Sequence, residues 1–303
     1  MSSIDLHDAG SRTGWLRAMP VVFVLIWSTG FIVARYGMPH APPLKFLCIR
    51  YALTMAGFGL WVWLSKVALP LSRGQWGHLA ITGILMQAGY LGGVWAAVHA
   101  GMGSGLVALL VGLQPVLTAL WLAANGSEVS RRQWIGLALG FAGLVLVVAR
   151  KLAVGTEVSL LTMSLAFGAL ISMTVGTLYQ KRFVAPCDVR SASMVQQAAA
   201  LAVSLPFALA EVQSVEWTVE SIGAMAWSVV ALSLGGSSLL YMLIQRGSAT
   251  AVTSLLYLVP PCTAVMAWLL FREPIGALTL AGILLTAIGV SMVVRTPPAR
   301  AAA

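Results

Sequence analysis

Polar side chains recur at helical spacing inside otherwise apolar stretches of this 303-residue sequence. Ser233, Ser237 and Tyr241 stand at i, i+4 and i+8, which puts them on one face of a helix. Gln114 and Thr118 repeat that spacing in another stretch. Hydroxyl, amide and phenol groups arranged in this way can hydrogen-bond a polar solute. They do not form the paired nucleophile and base that covalent catalysis requires.

A polar group that faces hydrocarbon is costly, so polar stripes on apolar helices turn toward the interior of a bundle. The sequence therefore predicts a cavity lined by polar and aromatic side chains from several helices. Serine and threonine hydroxyls can instead bond their own helix or join two helices, and this packing role is the alternative for each of them. The predicted substrate-binding residues are Trp27, Ser28, Thr29, Gln87, Tyr90, Trp95, Gln114, Met173, Thr177, Ser237, Tyr241 and Tyr257.

The elements that carry these residues are membrane spans. Apolar residues make up 59% of the chain and charged residues only 9%, whereas a soluble domain has about 25% charged residues. Apolar runs of about 20 residues recur along the chain, and they are continuous rather than alternating, which predicts helices. The net charge of +9 is better explained by basic flanks of spans than by nucleic-acid binding. The three cysteines have no paired spacing that would indicate a metal site or a disulfide framework.

The basic residues orient ten predicted spans. With the N-terminus inside, twelve of the 18 lysines and arginines fall on inner segments, five fall on outer segments and Arg50 lies within span 2. This bias predicts that both termini are cytosolic, and we expect the protein in a bacterial inner membrane. The predicted spans 1 to 10 cover about 17–36, 44–64, 76–99, 104–123, 133–149, 159–180, 191–210, 222–245, 249–271 and 278–294.

The second half of the chain repeats the first. Five spans per copy is an odd number, so the second copy must cross the membrane in the opposite direction. Inverted repeats of this kind are typical of secondary transporters, in which two halves rock around a site near the midplane. The matching pairs are Pro115 with Pro260, Glu128 with Glu273, Gly136 with Gly282 and Gly143 with Gly289. The predicted units are a cytosolic tail (1–16), a first repeat (17–150), a linker (151–158), a second repeat (159–295) and a cytosolic tail (296–303).

The sequence resembles the EamA-type branch of the drug/metabolite transporter superfamily. Trp27-Ser28-Thr29-Gly30-Phe31 is similar to the W-G-x-x-F stretch of span 1 in that family, with Ser28 in place of the usual glycine. Arg50 stands where the family often has an arginine, and the doubled proline, glutamate and glycine spacing matches the end of each EamA repeat. The resemblance implies a ten-helix basket whose central cavity is lined mainly by spans 1, 3, 4, 6, 8 and 9. It also implies substrates such as amino acids, metabolites, nucleotide-sugars or amphipathic drugs, which are often exported.

Pro115 and the Pro260-Pro261 pair lack backbone donors and bend their helices. Because both copies carry the bend, we interpret the two helices as moving gates; the alternative is a static bend that shapes the bundle. Arg50 is about 9 Å along span 2, at about 1.5 Å per residue. It is either an anchor for a substrate carboxylate or phosphate or an arginine that snorkels to the surface or caps a helix end.

No aspartate or glutamate lies in the centre of a predicted span, whereas proton-coupled exporters generally use an intramembrane carboxylate relay. We therefore predict a facilitator or exchanger of small metabolites such as amino acids, unless the substrate itself carries the proton. Efflux of drugs or toxic compounds and nucleotide-sugar-like exchange are the alternatives. A membrane-embedded enzyme is disfavoured because the four histidines lie at edges or in loops. We expect no cofactor or metal, a small-molecule substrate, lipid contacts, no nucleic-acid partner, and a monomer or homodimer.

Overall fold

The chain folds into a bundle of helices in this computed structural model, which describes residues 3–69, 72–126, 130–154, 158–239, 258–273 and 276–294. The α-helices are α1 (Ser3–Gly37), α2 (Pro43–Leu64), α3 (Arg73–Gly83), α4 (Tyr90–His99), α5 (Ser104–Val111), α6 (Gln114–Ala124), α7 (Arg131–Val154), α8 (Leu160–Phe183), α9 (Val189–Ala210), α10 (Val219–Trp227), α11 (Val259–Phe271) and α12 (Ala277–Val294). Two π-helical segments, π1 (Ile84–Gly89) and π2 (Ser228–Gly236), follow α3 and α10.

Ten apolar helical stretches within the described residues follow the order of the predicted spans. Eight are long and apolar enough to cross a bilayer, and two are shorter, Val259–Phe271 and Ala277–Met292. Span 3 consists of α3, π1 and α4, span 4 of α5 and α6, and span 8 of α10 and π2. The prediction of an all-α polytopic membrane protein is confirmed.

The N-terminal helix is longer than predicted. The sequence predicted a cytosolic tail over residues 1–16 ahead of span 1, and α1 runs without interruption from Ser3 to Gly37. No proline interrupts the chain between Ser3 and the start of the apolar run, so nothing in the backbone stops the helix before the predicted span begins. Pro20, which lies inside α1, is tolerated within the long helix.

The long helices α7 and α12 show that the two repeats are inverted. Gly143 approaches the carbonyl of Gly282, since a β-carbon added to Gly143 would lie 2.5 Å from that oxygen. Gly289, which is later in α12, packs against the backbone of Gly136, which is earlier in α7. The two helices are therefore antiparallel. Because Gly136 matches Gly282 and Gly143 matches Gly289 in the repeat, each glycine meets the partner of the other, as a two-fold axis requires.

The helices α2 and α9, which are also equivalent in the repeat, pack along each other in opposite directions. At one end the carboxylate of Glu211, just after α9, accepts hydrogen bonds from the first turn of α2. At the other end the guanidinium of Arg190, in the first turn of α9, lies 5.5 Å from the centre of the Trp61 ring near the end of α2. One large apolar core contains residues of both halves, with Phe46 and Leu110 from the first half and Leu170 from the second.

The two π-helical segments occupy equivalent places in the repeats. Adding the repeat offset of 146 residues to π1 places it within π2. A π-helical segment widens the helix and leaves some carbonyls without their usual partner, and such segments are frequent at functional sites. Spans 3 and 8 therefore carry matched irregularities at the depth where polar side chains gather.

Candidate binding site

Arg50 of α2 is buried, with 7% of its surface exposed. Its Nε and Nη2 atoms lie 3.4 and 3.2 Å from the hydroxyl oxygen of Ser233 in π2, to which they donate. The Ser233 hydroxyl in turn donates to the Ser228 carbonyl at 2.9 Å. No aspartate or glutamate lies within ion-pair distance of Arg50 in the part of the chain that the structure describes. The side chain thus points into the bundle instead of snorkelling, and its charge has no counter-ion there.

Aromatic rings surround the Arg50 guanidinium. The centre of the Trp95 ring lies 5.8 Å from its central carbon, which is within cation–π range. Trp95 is 1% exposed and stacks on Phe46 with ring centroids 4.8 Å apart. The sequence predicted Trp95 as a substrate-binding residue, and its large apolar ring lies in the core.

Gln87 lies in π1 and is partly buried. Its backbone carbonyl accepts a hydrogen bond from the hydroxyl of Tyr51 at 2.9 Å. A second bond, from Ser172 of α8 to the Leu85 carbonyl at 2.8 Å, ties π1 to the other repeat. Among the described residues, the Gln87 side-chain amide has no hydrogen-bond partner. The amide is therefore available to a solute, although its binding role stays a prediction.

Gln114 and Thr177, which the sequence treated as separate candidates, are brought together. The Gln114 side-chain nitrogen donates to the Thr177 hydroxyl at 2.9 Å, linking α6 to α8. The Thr177 hydroxyl donates to the Met173 carbonyl, and Thr118 donates to the Gln114 carbonyl. One hydrogen of the Gln114 amide thus makes a bond between the two halves. That hydrogen can bond a solute only when this contact breaks.

The span 1 candidates divide between packing and a more open setting. The Ser28 hydroxyl is fully buried and donates to the Val24 carbonyl at 2.7 Å, which favours a packing role. Thr29 donates to the carbonyl of Ile26 and accepts from the indole nitrogen of Trp227 at 2.9 Å. Trp27 is partly buried.

Ser237 follows π2 and is partly buried, with no hydrogen bond from its hydroxyl to any described residue. Tyr241 and Tyr257 lie outside the described residues, so their predicted roles stay predictions. The same holds for Glu128.

Both proline sites stand in the first turn of a helix. Span 4 breaks at Gly112 and Leu113, and α6 begins again at Gln114 with Pro115 in its second position. The helix α11 begins at Val259, the residue equivalent to Gln114, with Pro260 and Pro261 next. Because Pro115 has no N–H, the carbonyl of Val111 loses its usual helical partner. Span 4 is thus interrupted just before Pro115, and the gate role of the prolines stays a prediction.

The break of span 4 lies against the first turn of α11. A β-carbon added to Gly112 would lie 2.8 Å from the Cγ atom of Pro260. Gly105, earlier in α5, faces Ala264, later in α11, so these two helices cross the bundle in opposite directions. The helices that we interpret as gates therefore meet where the two halves join.

Two of the described acidic side chains cap helices at the edge of the bundle. The Glu211 carboxylate accepts from the N–H groups of Leu44 and Lys45 at 3.0 and 2.8 Å. Glu273 accepts from both the N–H and the hydroxyl of Ser104 at 3.2 and 3.1 Å. A carboxylate at a helix N-terminus satisfies unpaired N–H groups and the helix dipole, so these residues serve architecture.

Asp188 caps α9 in the same manner. Its carboxylate accepts from the backbone N–H of Arg190 at 2.8 Å and from the Arg190 guanidinium at 2.9 and 2.8 Å. The side-chain hydrogen bond from Arg190 is the main reason that the pKa of Asp188 lies below its ordinary value. Partial burial raises the pKa of the neighbouring Cys187 thiol.

Three buried polar residues of α2 and α9 escaped the sequence analysis: Tyr51, Thr54 and Gln197. The Thr54 hydroxyl oxygen and the Gln197 side-chain oxygen are buried and have no hydrogen-bond partner. Thr54 could have been found from its i+4 spacing to Arg50. Gln197 could not have been found in this way, because only the packing of α9 on α2 brings it to a level similar to that of Thr54.

The structure is an all-helical membrane bundle of two inverted halves, with a buried arginine and unbonded polar side chains inside. This is the architecture of a secondary transporter. The profile of the EamA-like transporter family matches residues 17–149 and 160–295. The chain therefore belongs to the EamA-like transporter family and is a membrane transporter.

Relatives of similar length carry transporter names. The "Uncharacterized transporter YvbV" of Bacillus subtilis (strain 168) is 27% identical over 93% of this chain and 92% of its own length. A "Probable amino-acid metabolite efflux pump" of Salmonella typhimurium is 24% identical over 89% of this chain and 92% of its own length. The "Uncharacterized inner membrane transporter YedA" of Escherichia coli (strain K12) is 24% identical over 78% of this chain and 71% of its own length. A crystal structure at 16% identity superimposes with a TM-score of 0.65 over 91% of this chain and 95% of the other, which shows a shared fold.

Proposed function

We propose that this transporter exports small metabolites that carry a carboxylate, with amino acids the first choice, by alternating access. The observation that carries the proposal is Arg50. It is buried at the contact between α2 and π2, and no described carboxylate neutralises it. The Salmonella relative, named as an amino-acid metabolite efflux pump, supports the same substrate class.

A buried charge without a counter-ion is unfavourable, and polar partners offset only part of that penalty. A substrate carboxylate supplies the missing charge, and its two oxygens match the fork of a guanidinium. Arg50 disfavours a bulky cationic drug for the same reason. A phosphate would also satisfy Arg50, so nucleotide-sugar-like exchange is the second candidate.

Transport by facilitated diffusion or exchange is the mode that the charges support. The described acidic residues near α2, α5 and α9 cap helices, and no acidic residue lies mid-span in the sequence. A proton relay has no carboxylate to use in these spans. The membrane is the bacterial inner membrane, in keeping with the name of the Escherichia coli relative, and both termini are cytosolic. The working unit is a monomer or homodimer.

The helices α6 and α11 act as the gates. Each carries proline in its first turn, and the break of span 4 touches Pro260 of α11 through Gly112. Rocking one half against the other changes this contact while leaving the long α7 and α12 pair intact. The bond between Gln114 and Thr177 closes one route between the halves, and it breaks when that route opens.

Purified protein in proteoliposomes tests the function directly. Vesicles loaded with each of the twenty L-amino acids, one at a time, are diluted into buffer, and efflux is measured with and without the same amino acid outside. We expect at least one amino acid to leave the vesicles faster when the protein is present. The same amino acid, unlabelled and outside the vesicles, should accelerate this efflux or leave its rate unchanged. A pH dye should report no substrate-dependent change of lumenal pH.

The control is a vesicle that holds the Arg50→Gln variant at the same density. Efflux from it should fall to the protein-free rate while the protein remains folded. If wild-type vesicles move no amino acid but exchange nucleotide-sugars, the second candidate stands. Substrate-dependent change of lumenal pH contradicts the facilitator assignment.

A further inference from the structure

Thr54 follows Arg50 by one helical turn on the same face of α2. Its side chain is fully buried, and its hydroxyl oxygen has no hydrogen-bond partner. Threonines in helices usually donate to the carbonyl four residues earlier, and five others among the described residues do so. Those five are Thr82, Thr118, Thr174, Thr177 and Thr286. The Thr54 hydroxyl is instead turned away from the Arg50 carbonyl and left as a free donor.

Gln197 supplies a second unpaired group at a similar depth. It is 5% exposed, and its side-chain oxygen has no partner. A β-carbon added to Gly59 of α2 would lie 3.6 Å from the sulfur of Met194, and the first turn of α2 meets the end of α9. Interpolating between these contacts puts Gln197 within about one turn of the level of Thr54.

We propose that Thr54 and Gln197 complete an oxyanion pocket with Arg50, and that this pocket takes the carboxylate of the substrate. The inference rests on the proposed function and assigns its recognition groups. Arg50 donates through its guanidinium and Thr54 through its hydroxyl. A half-turn of the Gln197 amide about its last torsion presents the NH₂ group in place of the oxygen. A carboxylate accepts about four hydrogen bonds, so three donor groups can satisfy it.

The charge around the pocket selects an anion. Thr54 and Arg50 are separated along the helix by about 6 Å, four residues at about 1.5 Å each. The positive charge at that distance repels a cation in a medium of low dielectric constant. The uncharged donors Thr54 and Gln197 add hydrogen bonds without neutralising Arg50, so the empty pocket keeps its attraction for a carboxylate.

Four forms of the full chain test the pocket: wild type, Thr54→Val, Thr54→Ser and Thr82→Val. Valine keeps the shape of threonine and removes the hydroxyl, while serine keeps the hydroxyl. Thr82 is the matched control, because it is fully buried and bonds the His78 carbonyl. The ligands are acetate, propionate and the twenty L-amino acids, each compared with its carboxamide. Dissociation constants come from ligand-dependent thermal shifts of purified protein.

We expect Thr54→Val to weaken carboxylate binding about ten- to hundred-fold, the effect of losing a hydrogen bond to a charged group. Binding of the carboxamides should change much less, and Thr54→Ser and Thr82→Val should bind as wild type does. Equal affinities of Thr54→Val and Thr82→Val for every carboxylate overturn the pocket. If Thr54→Val weakens propionate binding but no amino acid binds, the pocket stands and the proposed substrate class is rejected. Absence of all carboxylate binding rejects both.

Discussion

Arg50 illustrates how burial changes the meaning of a residue. From the sequence, a snorkelling arginine was the simpler interpretation, because long cationic side chains near a helix end usually reach for the membrane surface. In the fold, Ser233 and Trp95 hold the guanidinium inside the bundle. The lack of a described counter-ion favours the ligand anchor that we propose over a purely structural role.

Replacing Arg50 with glutamine should therefore have opposite effects on binding and on stability. We expect affinity for carboxylate ligands to fall by about a hundred-fold, since charge-assisted hydrogen bonds are lost. The ligand-free protein should unfold at the same temperature or higher, because removal of an uncompensated buried charge relieves its desolvation penalty. Thermal unfolding with and without ligand measures both. A large loss of ligand-free stability would assign Arg50 to architecture instead.

Asp188 predicts a pH dependence of stability. Its hydrogen bonds from Arg190 hold the pKa of Asp188 below its ordinary value. The stabilisation is therefore fully present above the ordinary pKa of about 3.9 and is lost as pH falls through the lowered value. Asp188→Asn should unfold at a lower temperature than wild type at pH 7, and the difference should shrink in acid.

The matched comparison for Asp188 is Arg190→Gln, alone and combined with Asp188→Asn. Because the two residues share one contact, their effects on unfolding temperature should be less than additive. Full additivity at pH 7, or a difference between wild type and Asp188→Asn that grows in acid, contradicts this assignment.

The helix pair α7 and α12 is organised around glycines that have no room for a side chain. A β-carbon at Gly143 would lie 2.5 Å from both the Gly282 carbonyl and the Thr286 hydroxyl. By contrast, a β-carbon at Gly168 of α8 would meet no atom within 4 Å. Replacing glycine with alanine therefore tests a close helix contact at Gly143 and an open surface at Gly168.

Gly143→Ala should destabilise the protein by about 1–3 kcal/mol, the usual effect of overpacking. Gly168→Ala should be neutral or stabilise by up to about 1 kcal/mol, since alanine has the higher helix propensity. Thermal or denaturant unfolding in detergent compares the two variants. Equal effects would show that α7 and α12 do not pack as closely as described.

Regular elements could be predicted from the sequence and irregular ones could not. Continuous apolar runs and the repeated proline and glycine pairs gave the helices and their inversion, because length and periodicity determine both. The π-helical segments were missed, since an extra residue in one turn barely changes the apolar pattern. Proline predicted a bend in span 4, but the full break at Gly112 and Leu113 depends on how closely Pro260 packs there.

The candidate site was predictable in part, for a similar reason. Gln87, Gln114 and Thr177 could be chosen because amides and hydroxyls in apolar helices stand out. Ser28 was chosen on the same basis, yet its hydroxyl bonds the Val24 carbonyl. Sequence alone cannot tell whether a hydroxyl bonds its own helix, and Thr54 differs from Thr82 in that respect.

The whole molecule is two antiparallel halves that share their contacts. Equivalent helices meet across the centre in the pairs α2 with α9 and α7 with α12. The break of span 4 also meets Pro260 of α11 between the halves. A site built from both halves, such as Arg50 of α2 with Ser233 of π2, changes its access when the halves rock. Two inverted halves can thus present one anion-binding site to either side in turn.

Accessibility of Gln114 from the two sides tests alternating access most directly. The natural cysteines Cys48, Cys187 and Cys262 are replaced, Gln114→Cys is introduced, and right-side-out and inside-out vesicles are treated with a membrane-impermeant thiol reagent. We expect labelling in both preparations, and a transported amino acid should slow it in both. Labelling confined to one preparation under all conditions, or absent from both, would contradict this expectation.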